Sequence, residues 1–264
     1  MPAQQYLYTY YSNQASMGVS VIIPAYDEDT RLIPSLKSIV QYMDRQKIDH
    51  EIIIVDDSSK NPITHIKGLP NNHINILRNS SNRGKGYSVR RGMLAAEKDH
   101  IMFTDSDLAA PIEELDKLMG YIEDGYDIAV ASRNLEGSEI VVRQPLYRRL
   151  LGKGFPLLVN LLGLSRLKDT QCGLKLFTRD AARQLARLQT IDGFAFDAEI
   201  MHIAEKRGMR VAEVPVKWVD KEGSKVRIMK DSLSMFSDLI RIRINSWAGK
   251  YEKKKQRRED NRNH

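Results

Sequence analysis

Short apolar runs alternate with segments of helical period along the first half of the chain. Val19-Ser20-Val21-Ile22-Ile23 is stopped by Pro24, and a polar turn and a helical pattern from Leu32 to Met43 follow. The unit recurs. Glu51 to Val55 is a β-branched run ending in Asp56-Asp57-Ser58-Ser59, Ile74 to Leu77 is another, and Gly86 to Lys98 is helix-like. Ile101-Met102-Phe103-Thr104 then ends in Asp105-Ser106-Asp107. Apolar runs without polar interruption belong to strands buried on both faces, and their alternation with helices predicts a mostly parallel sheet, so the fold class is α/β.

The second half predicts a strand over Asp127–Ser132, a helix over Asp197–Arg207, a strand over Val211–Trp218 and an amphipathic helix over Asp231–Trp247. On that last helix Leu233, Phe236, Leu239, Ile240 and Ile244 are expected to share a face. Between them lie a basic segment from Arg143 to Lys153 and the apolar stretch Phe155 to Leu164, too short to span a bilayer and read as a core helix or one lying in a membrane interface. The expected organisation is an N-terminal arm (1–18), one catalytic domain (19–230), the amphipathic helix (231–248) and a disordered basic tail (249–264).

Ligands of open α/β sheets sit beyond the carboxyl ends of the strands. Three of the predicted strands end in polar clusters, at Pro24-Ala25-Tyr26-Asp27-Glu28, at Asp56-Asp57 and at Asp105-Ser106-Asp107, and these should gather along one edge.

Composition narrows the setting. The 264 residues carry 41 Lys+Arg against 34 Asp+Glu, a net charge of +7, with 42% hydrophobic residues and one cysteine. A single Cys172 excludes an internal disulfide framework and points to a reducing compartment. Met1 to Ser20 has no apolar core of a signal peptide, and no stretch reaches the roughly 20 apolar residues of a membrane span. Residues 249–264 hold a net +4 of the +7, suited to an anionic surface. No two of the six histidines lie within four residues of each other, so histidine metal ligation on one helix face is not suggested.

Two carboxylates one residue apart at the end of a buried strand can share a hard cation and through it hold a diphosphate. Asp105-Ser106-Asp107 fits that description; Asp27-Glu28-Asp29 has the same spacing but sits in a loop. No Gly-x-Gly-x-x-Gly follows the first strand, and Asn82-Arg83-Gly84-Lys85-Gly86 lacks the leading Gly and trailing Ser/Thr of the ATPase loop, which disfavours a dehydrogenase or P-loop ATPase. The glycines around Lys85 would let the backbone approach a ligand, with Lys85 and Arg83 supplying charge, or form a helix-entry turn.

Val21-Ile22-Ile23-Pro24-Ala25-Tyr26-Asp27-Glu28, Ile54-Val55-Asp56-Asp57-Ser58-Ser59, Asn82-Arg83-Gly84-Lys85-Gly86 and Phe103-Thr104-Asp105-Ser106-Asp107 together resemble the inverting nucleotide-sugar glycosyltransferases of family two, which have the GT-A fold. Asp169 to Phe177, Phe196-Asp197-Ala198-Glu199 and Trp218 to Lys225 are similar to the dolichyl-phosphate β-glucosyltransferase branch of that family. The likeness runs from about Val19 to about Trp247.

That resemblance implies metal-dependent transfer of a hexose, with UDP-glucose the expected donor and dolichyl or polyprenyl phosphate the acceptor. It places Pro24, Tyr26, Glu28, Asp56, Asp57, Lys85, Asp105 and Ser106 around the nucleotide sugar, and a Mg2+ or Mn2+ ion on Asp105 and Asp107. Arg133, Arg148, Arg149, Lys225 and Arg227 are the candidates for gripping the acceptor phosphate, because guanidinium forks match phosphate oxygens. Asp197 is either a base, as in relatives with hydroxyl acceptors, or an organiser of the basic cluster; Gln171 and Cys172 could line the pocket. The expected location is the cytoplasmic face of an anionic membrane, peripherally bound, without nucleic acid. Another donor such as GDP-mannose, a hydroxyl acceptor, a nucleotidyltransferase, or a non-catalytic basic binder are the alternatives.

Overall fold

The computed structural model describes residues 18–64, 66, 73–141, 155–219 and 228–252. The expected acceptor groups Arg148, Arg149, Lys225 and Arg227 lie outside the described residues, as do most of the N-terminal arm and the tail from 253.

The chain runs β1 (Val19–Ala25), α1 (Asp29–Gln46), β2 (His50–Asp56), β3 (Ile74–Arg78), α2 (Lys85–Ala95), β4 (His100–Phe103), a 3-10 turn (Ile112–Glu114), α3 (Leu115–Glu123), β5 (Ile128–Ser132) and β6 (Glu139–Ile140). Residues 155–161 are helical (α4). Then come β7 (Lys175–Thr178), α5 (Arg179–Leu188), α6 (Phe196–Arg207), β8 (Val211–Pro215), β9 (Lys217–Trp218) and α7 (Ile228–Trp247).

Seven strands form one sheet in the order β3-β2-β1-β4-β7-β5-β8. All neighbours pair in parallel except β7, which runs antiparallel between β4 and β5. The fold is therefore the mostly parallel α/β sheet that the apolar runs predict. Val21, Ile23, Ile52 and Ile54 face α1 and α3, whereas Ile22, Ile53, Val55 and Phe103 face α2, α5 and α6, so alternate residues of one run feed two separate cores.

Pro24 does not stop β1. The carbonyl of Ile22 accepts from Thr104 N–H on the β4 side, so two residues on Pro24 turns its missing donor to that same side, where the β1–β4 ladder has ended at Ile22 and Phe103. The expected strand Val211–Trp218 is two strands: it leaves the main sheet after Pro215, and β9 pairs with β6 in a separate two-stranded sheet.

Leu239 does not share a face with Leu233, Phe236, Ile240 and Ile244. It is buried with Ile242 against α6 and α4, while the other four are exposed. The expected tail also begins too early, because residues 249–252 turn back and Tyr251 is buried, donating its hydroxyl to Glu199 at 2.7 Å. Glu199 accepts in addition from Thr190 N–H and Ile191 N–H, which fixes a strap over residues 190–193.

Candidate active site

Strand order reverses at β1, with β2 and β3 on one side and β4 on the other, so the crevice beyond β1 and β4 is where such a sheet presents ligands. After β1, Asp27 takes a left-handed conformation (φ 51°); its N–H donates to Ser59 Oγ at 2.9 Å and its carboxylate accepts Lys60 N–H at 2.8 Å. The turn is thereby tied to the end of β2, with Tyr26 exposed on the rim. Arg31 of α1 stands 3.1 Å from Glu28 and 3.8 Å from Asp107, linking the β1 and β4 turns. Sequence reading passed over Arg31, whose position one turn after Glu28 is the signal available for it.

The two acids after β2 hold the framework. Asp56 stands beneath the rim, wholly buried, accepting from Ser59 N–H at 2.8 Å and from the Arg78 guanidinium. Burial pushes its carboxyl up, and the hydrogen bonds of Ser59, Arg78 and Ile63 more than offset that, holding it below the ordinary range. Asp57 accepts Arg83 N–H at 2.8 Å, Gly84 N–H at 2.7 Å and the Asn79 amide at 2.7 Å, so it fixes the Asn82–Gly86 loop.

The glycines of that loop do not open its backbone to a ligand. Gly84 has φ 102°, and a Cβ there would stand 2.5 Å from the carbonyl oxygen of Asp192; a Cβ on Gly86 would meet the Ile191 carbonyl at 2.7 Å. Both positions let the loop press on the 190–193 strap, where Arg83 pairs with Asp192 at 3.3 Å. The loop starts α2 so that Lys85 reaches across to Asp105, Nζ to Oδ1 2.6 Å.

Asp105 leaves β4 in a tight turn, its carbonyl accepting Leu108 N–H at 3.0 Å, and Asp107 Oδ1 accepts Ala109 N–H at 3.1 Å. Ser106, between them, is half-buried. Asp105 packs closely on Gly173: a Cβ there would stand 2.0 Å from its Oδ2, so any larger residue would push the carboxylate out of place. Burial raises the Asp105 carboxyl, but Lys85, Lys175 and Arg133 hold it ionised below its usual range.

The opposite wall is basic. Arg133, just after β5, donates Nε to Asp169 Oδ2 at 2.7 Å and Nη2 to Oδ1 at 2.9 Å, and its guanidinium lies 4.9 Å from the centre of the Trp218 ring. Burial disfavours that cation, and Asp169 more than offsets the effect. Asp169 is itself placed by Glu213, which accepts its N–H at 2.8 Å. Lys175, at the start of β7, is completely buried and donates to Asp197 at 2.5 Å and to the Cys172 carbonyl at 2.7 Å. Burial pushes the Asp197 carboxyl up, against the opposing pull of Lys175 and Lys85. The organiser reading of Asp197 gains a specific partner, Lys175, which sequence reading did not single out.

Cys172 is buried, its thiol pushed up to about 12 by burial, so it is a packing residue and not a thiolate nucleophile. Gln171 is half-buried beside it and donates its N–H to Asp169 at 3.2 Å.

The donor chemistry at Asp105 and Asp107 suits a hard divalent cation. Among the described residues no three His, Cys, Asp or Glu side chains gather to enclose a metal. Such an ion would complete its shell with diphosphate oxygens and water, the usual arrangement for Mg2+-type ions at phosphate sites. Among the described residues no helix is long and apolar enough to cross a membrane.

Comparison with known proteins gives a consistent answer. The sequence model of glycosyl transferase family 2 matches residues 20–186. A dolichyl-phosphate beta-glucosyltransferase of Dictyostelium discoideum is 35% identical over 246 residues, covering 88% of this chain and 75% of the relative. Another, from Trichomonas vaginalis, is 38% identical over 242 residues, covering 86% and 71%. In fold, the chain resembles glucosyl-3-phosphoglycerate synthase from Mycobacterium tuberculosis, crystallised with Mn2+, UDP and phosphoglyceric acid, with a TM-score of 0.67, 19% identity and coverage of 90% and 81%.

Proposed function

The chain belongs to glycosyl transferase family 2, and from that premise we propose that it transfers glucose from UDP-glucose to dolichyl or polyprenyl phosphate with inversion at the anomeric carbon. One observation carries the reading: Arg133 and Lys85 converge on Asp105, while Asp197, the carboxylate a hydroxyl acceptor would call on as base, is committed to Lys175.

The chemistry asks for cations. A phosphate monoester has a second pKa near 6 and is mostly a dianion at neutral pH, so it needs holding and not deprotonating. An acceptor oxygen attacks the anomeric carbon from the side opposite the diphosphate; the new C–O bond forms as the bond to UDP breaks, and the electron pair leaves with UDP. No proton has to move. Arg133, its fork kept in one orientation by Asp169 and Trp218, orients the acceptor phosphate. Lys85 meets the charge that builds on the diphosphate. Tyr26 and Glu28 stand on the nucleotide side of the crevice, and Asp57 shapes it by fixing the Asn82–Gly86 loop. A divalent ion, Mg2+ or Mn2+, on Asp105 and Asp107 would supply Lewis-acid charge to the diphosphate.

The lipid acceptor requires a membrane surface, and α7 supports peripheral contact. Leu233, Phe236, Ile240, Ile244 and Trp247 recur at helical spacing along one exposed face, from 40% exposed at Ile240 to 74% at Leu233 and Trp247. The stripe is about 21 Å long at the helical rise of ~1.5 Å per residue. Leu157 and Leu161 of α4, one turn apart, are 68% and 80% exposed, while Leu158 of α4 and Leu162 just after it pack against the core cluster that holds Leu239 and Ile242 of α7. An apolar stripe bordered by Arg241 and Arg243 suits a helix lying in an anionic interface. Replacing Leu233 and Trp247 by Asp should abolish co-sedimentation with anionic vesicles, whereas removing residues 253–264 should weaken it and make the remainder less sensitive to salt.

The test of function is a donor screen with a short polyprenyl phosphate, reading the released nucleotide and the linkage of the lipid product. UDP release coupled to a β-glucosyl lipid phosphate is expected. Preference for GDP-mannose, transfer to a hydroxyl group or release of pyrophosphate would overturn the reading.

A further inference from the structure

Among the described residues three cations face Asp105, and they are held differently. Lys175 is sealed in the interior between Asp197 and the Cys172 carbonyl, and Arg133 is clamped in two-pronged fashion by Asp169. Neither can leave. Among the described residues it is Lys85 that touches the carboxylate, Nζ to Oδ1 2.6 Å; its side chain is 20% exposed and that of Asp105 31%, so the contact stands at the wall of the crevice, not beneath it. The ammonium lies within electrostatic reach of Asp107 and Asp197 as well.

We infer that Lys85 is the built-in counter-ion of Asp105: its ammonium and the divalent cation compete for one carboxylate, so the ion enters together with the nucleotide diphosphate and not ahead of it. The inference rests on the metal reading of Asp105 and Asp107 proposed above. Its physical basis is charge. Asp105 already has a bonded cation and two fixed cationic neighbours, so a divalent ion arriving alone must displace an ammonium among charges of its own sign. A diphosphate removes that penalty, because it brings negative charge and gives the displaced ammonium new oxygens to bond. Lys85 is well placed for the exchange. The loop that carries it is fixed by Gly84 and the Asp57 carboxylate, while a lysine's four-carbon stem has the rotatable bonds through which the ammonium can change partner.

The test is direct Mn2+ binding to the full chain, read as loss of the free-ion signal in electron paramagnetic resonance, without and with UDP. Wild type should bind Mn2+ weakly alone and much more tightly with UDP. Lys85→Gln should bind Mn2+ alone at least about tenfold more tightly than wild type, the factor expected when one competing near-surface charge contact is removed, and should lose part of the gain from UDP. Lys85→Arg, which keeps the cation, should bind the ion alone as weakly as wild type. If wild type binds Mn2+ equally well with and without UDP, the inference fails on the unmodified protein. If UDP recruits Mn2+ but Lys85→Gln binds the free ion no more tightly, competition by Lys85 is wrong and the metal reading stands. If no Mn2+ binds even with UDP, the metal reading falls and the inference with it.

Discussion

The two halves of the sheet deliver opposite charges to one crevice and secure them by different means. On the β3-β2-β1-β4 side, Glu28, Asp105 and Asp107 stand in the turns that end parallel strands, held by backbone geometry and by cations borrowed from neighbouring elements. On the β7-β5-β8 side, Arg133 and Lys175 are each backed by a buried carboxylate that lies elsewhere in sequence, Asp169 and Asp197. A displaceable acidic rim suits a donor that arrives and leaves with each turnover. A clamped basic wall suits an acceptor that must be presented in one orientation. The contrast predicts that changes on the rim act on chemistry with little loss of stability, whereas changes in the wall act on stability and acceptor binding.

The largest effect is expected on the rim. Asp107→Ala should lower turnover by at least about 1,000-fold, the scale of losing a main electrostatic contribution at the reacting diphosphate. The same change should cost only about 1 kcal/mol of stability, since the contacts of this partly exposed carboxylate include the Ala109 N–H and a long ion pair with Arg31 at 3.8 Å, both of modest worth near the surface. A denaturation midpoint measured beside the rate separates the two.

The wall should show the reverse. Asp197→Asn leaves Lys175 buried without its carboxylate, a change that costs about 3–5 kcal/mol in comparable pairs, and urea unfolding would read it. Folded Asp197→Asn protein should still turn over. If it folds as stably as wild type and is inert, Asp197 belongs to the chemistry and the division between rim and wall is wrong.

A smaller effect sharpens the comparison within the wall. Arg133→Ala should raise the KM for the lipid phosphate by about 10–100-fold, the worth of a charge-assisted hydrogen bond, and leave the KM for UDP-glucose nearly unchanged. Asp169→Asn, which keeps the guanidinium but weakens its clamp, should show part of the same rise. Equal effects on both substrates would mean that Arg133 serves the diphosphate as well.

Much of the rim was legible in the sequence, and much of the wall was not. Strands β1, β2 and β4 announce themselves because both their faces are buried, and their turns carry acids in adjacent or alternate positions. The β7 strand reads as Lys-Leu-Phe-Thr, whose first residue looks like a surface lysine until Asp197 is found beside it. Helix α5 buries Ala181, Ala182, Leu185 and Ala186 between arginines, too small an apolar signal to register. Ion pairs such as Arg133–Asp169 and Lys175–Asp197 join residues 36 and 22 positions apart, and no local period reports them. The same limit explains the glycines beside Lys85, whose shape requirement comes from a strap more than a hundred residues later.

The central claim is that the acceptor enters as a phosphate dianion and needs no enzymic base. The direct test is kcat/KM against pH for two acceptors with the same polyprenyl chain, one a phosphate and one a methylene phosphonate, whose second pKa is higher. The acidic limb should fall near pH 6 for the phosphate and move upward with the phosphonate, because the titrating group is the acceptor. Asp197, raised by burial, is the enzymic carboxyl best placed to mimic such a limb. A limb that stays at one pH for both acceptors would assign the titration to the enzyme and contradict the account.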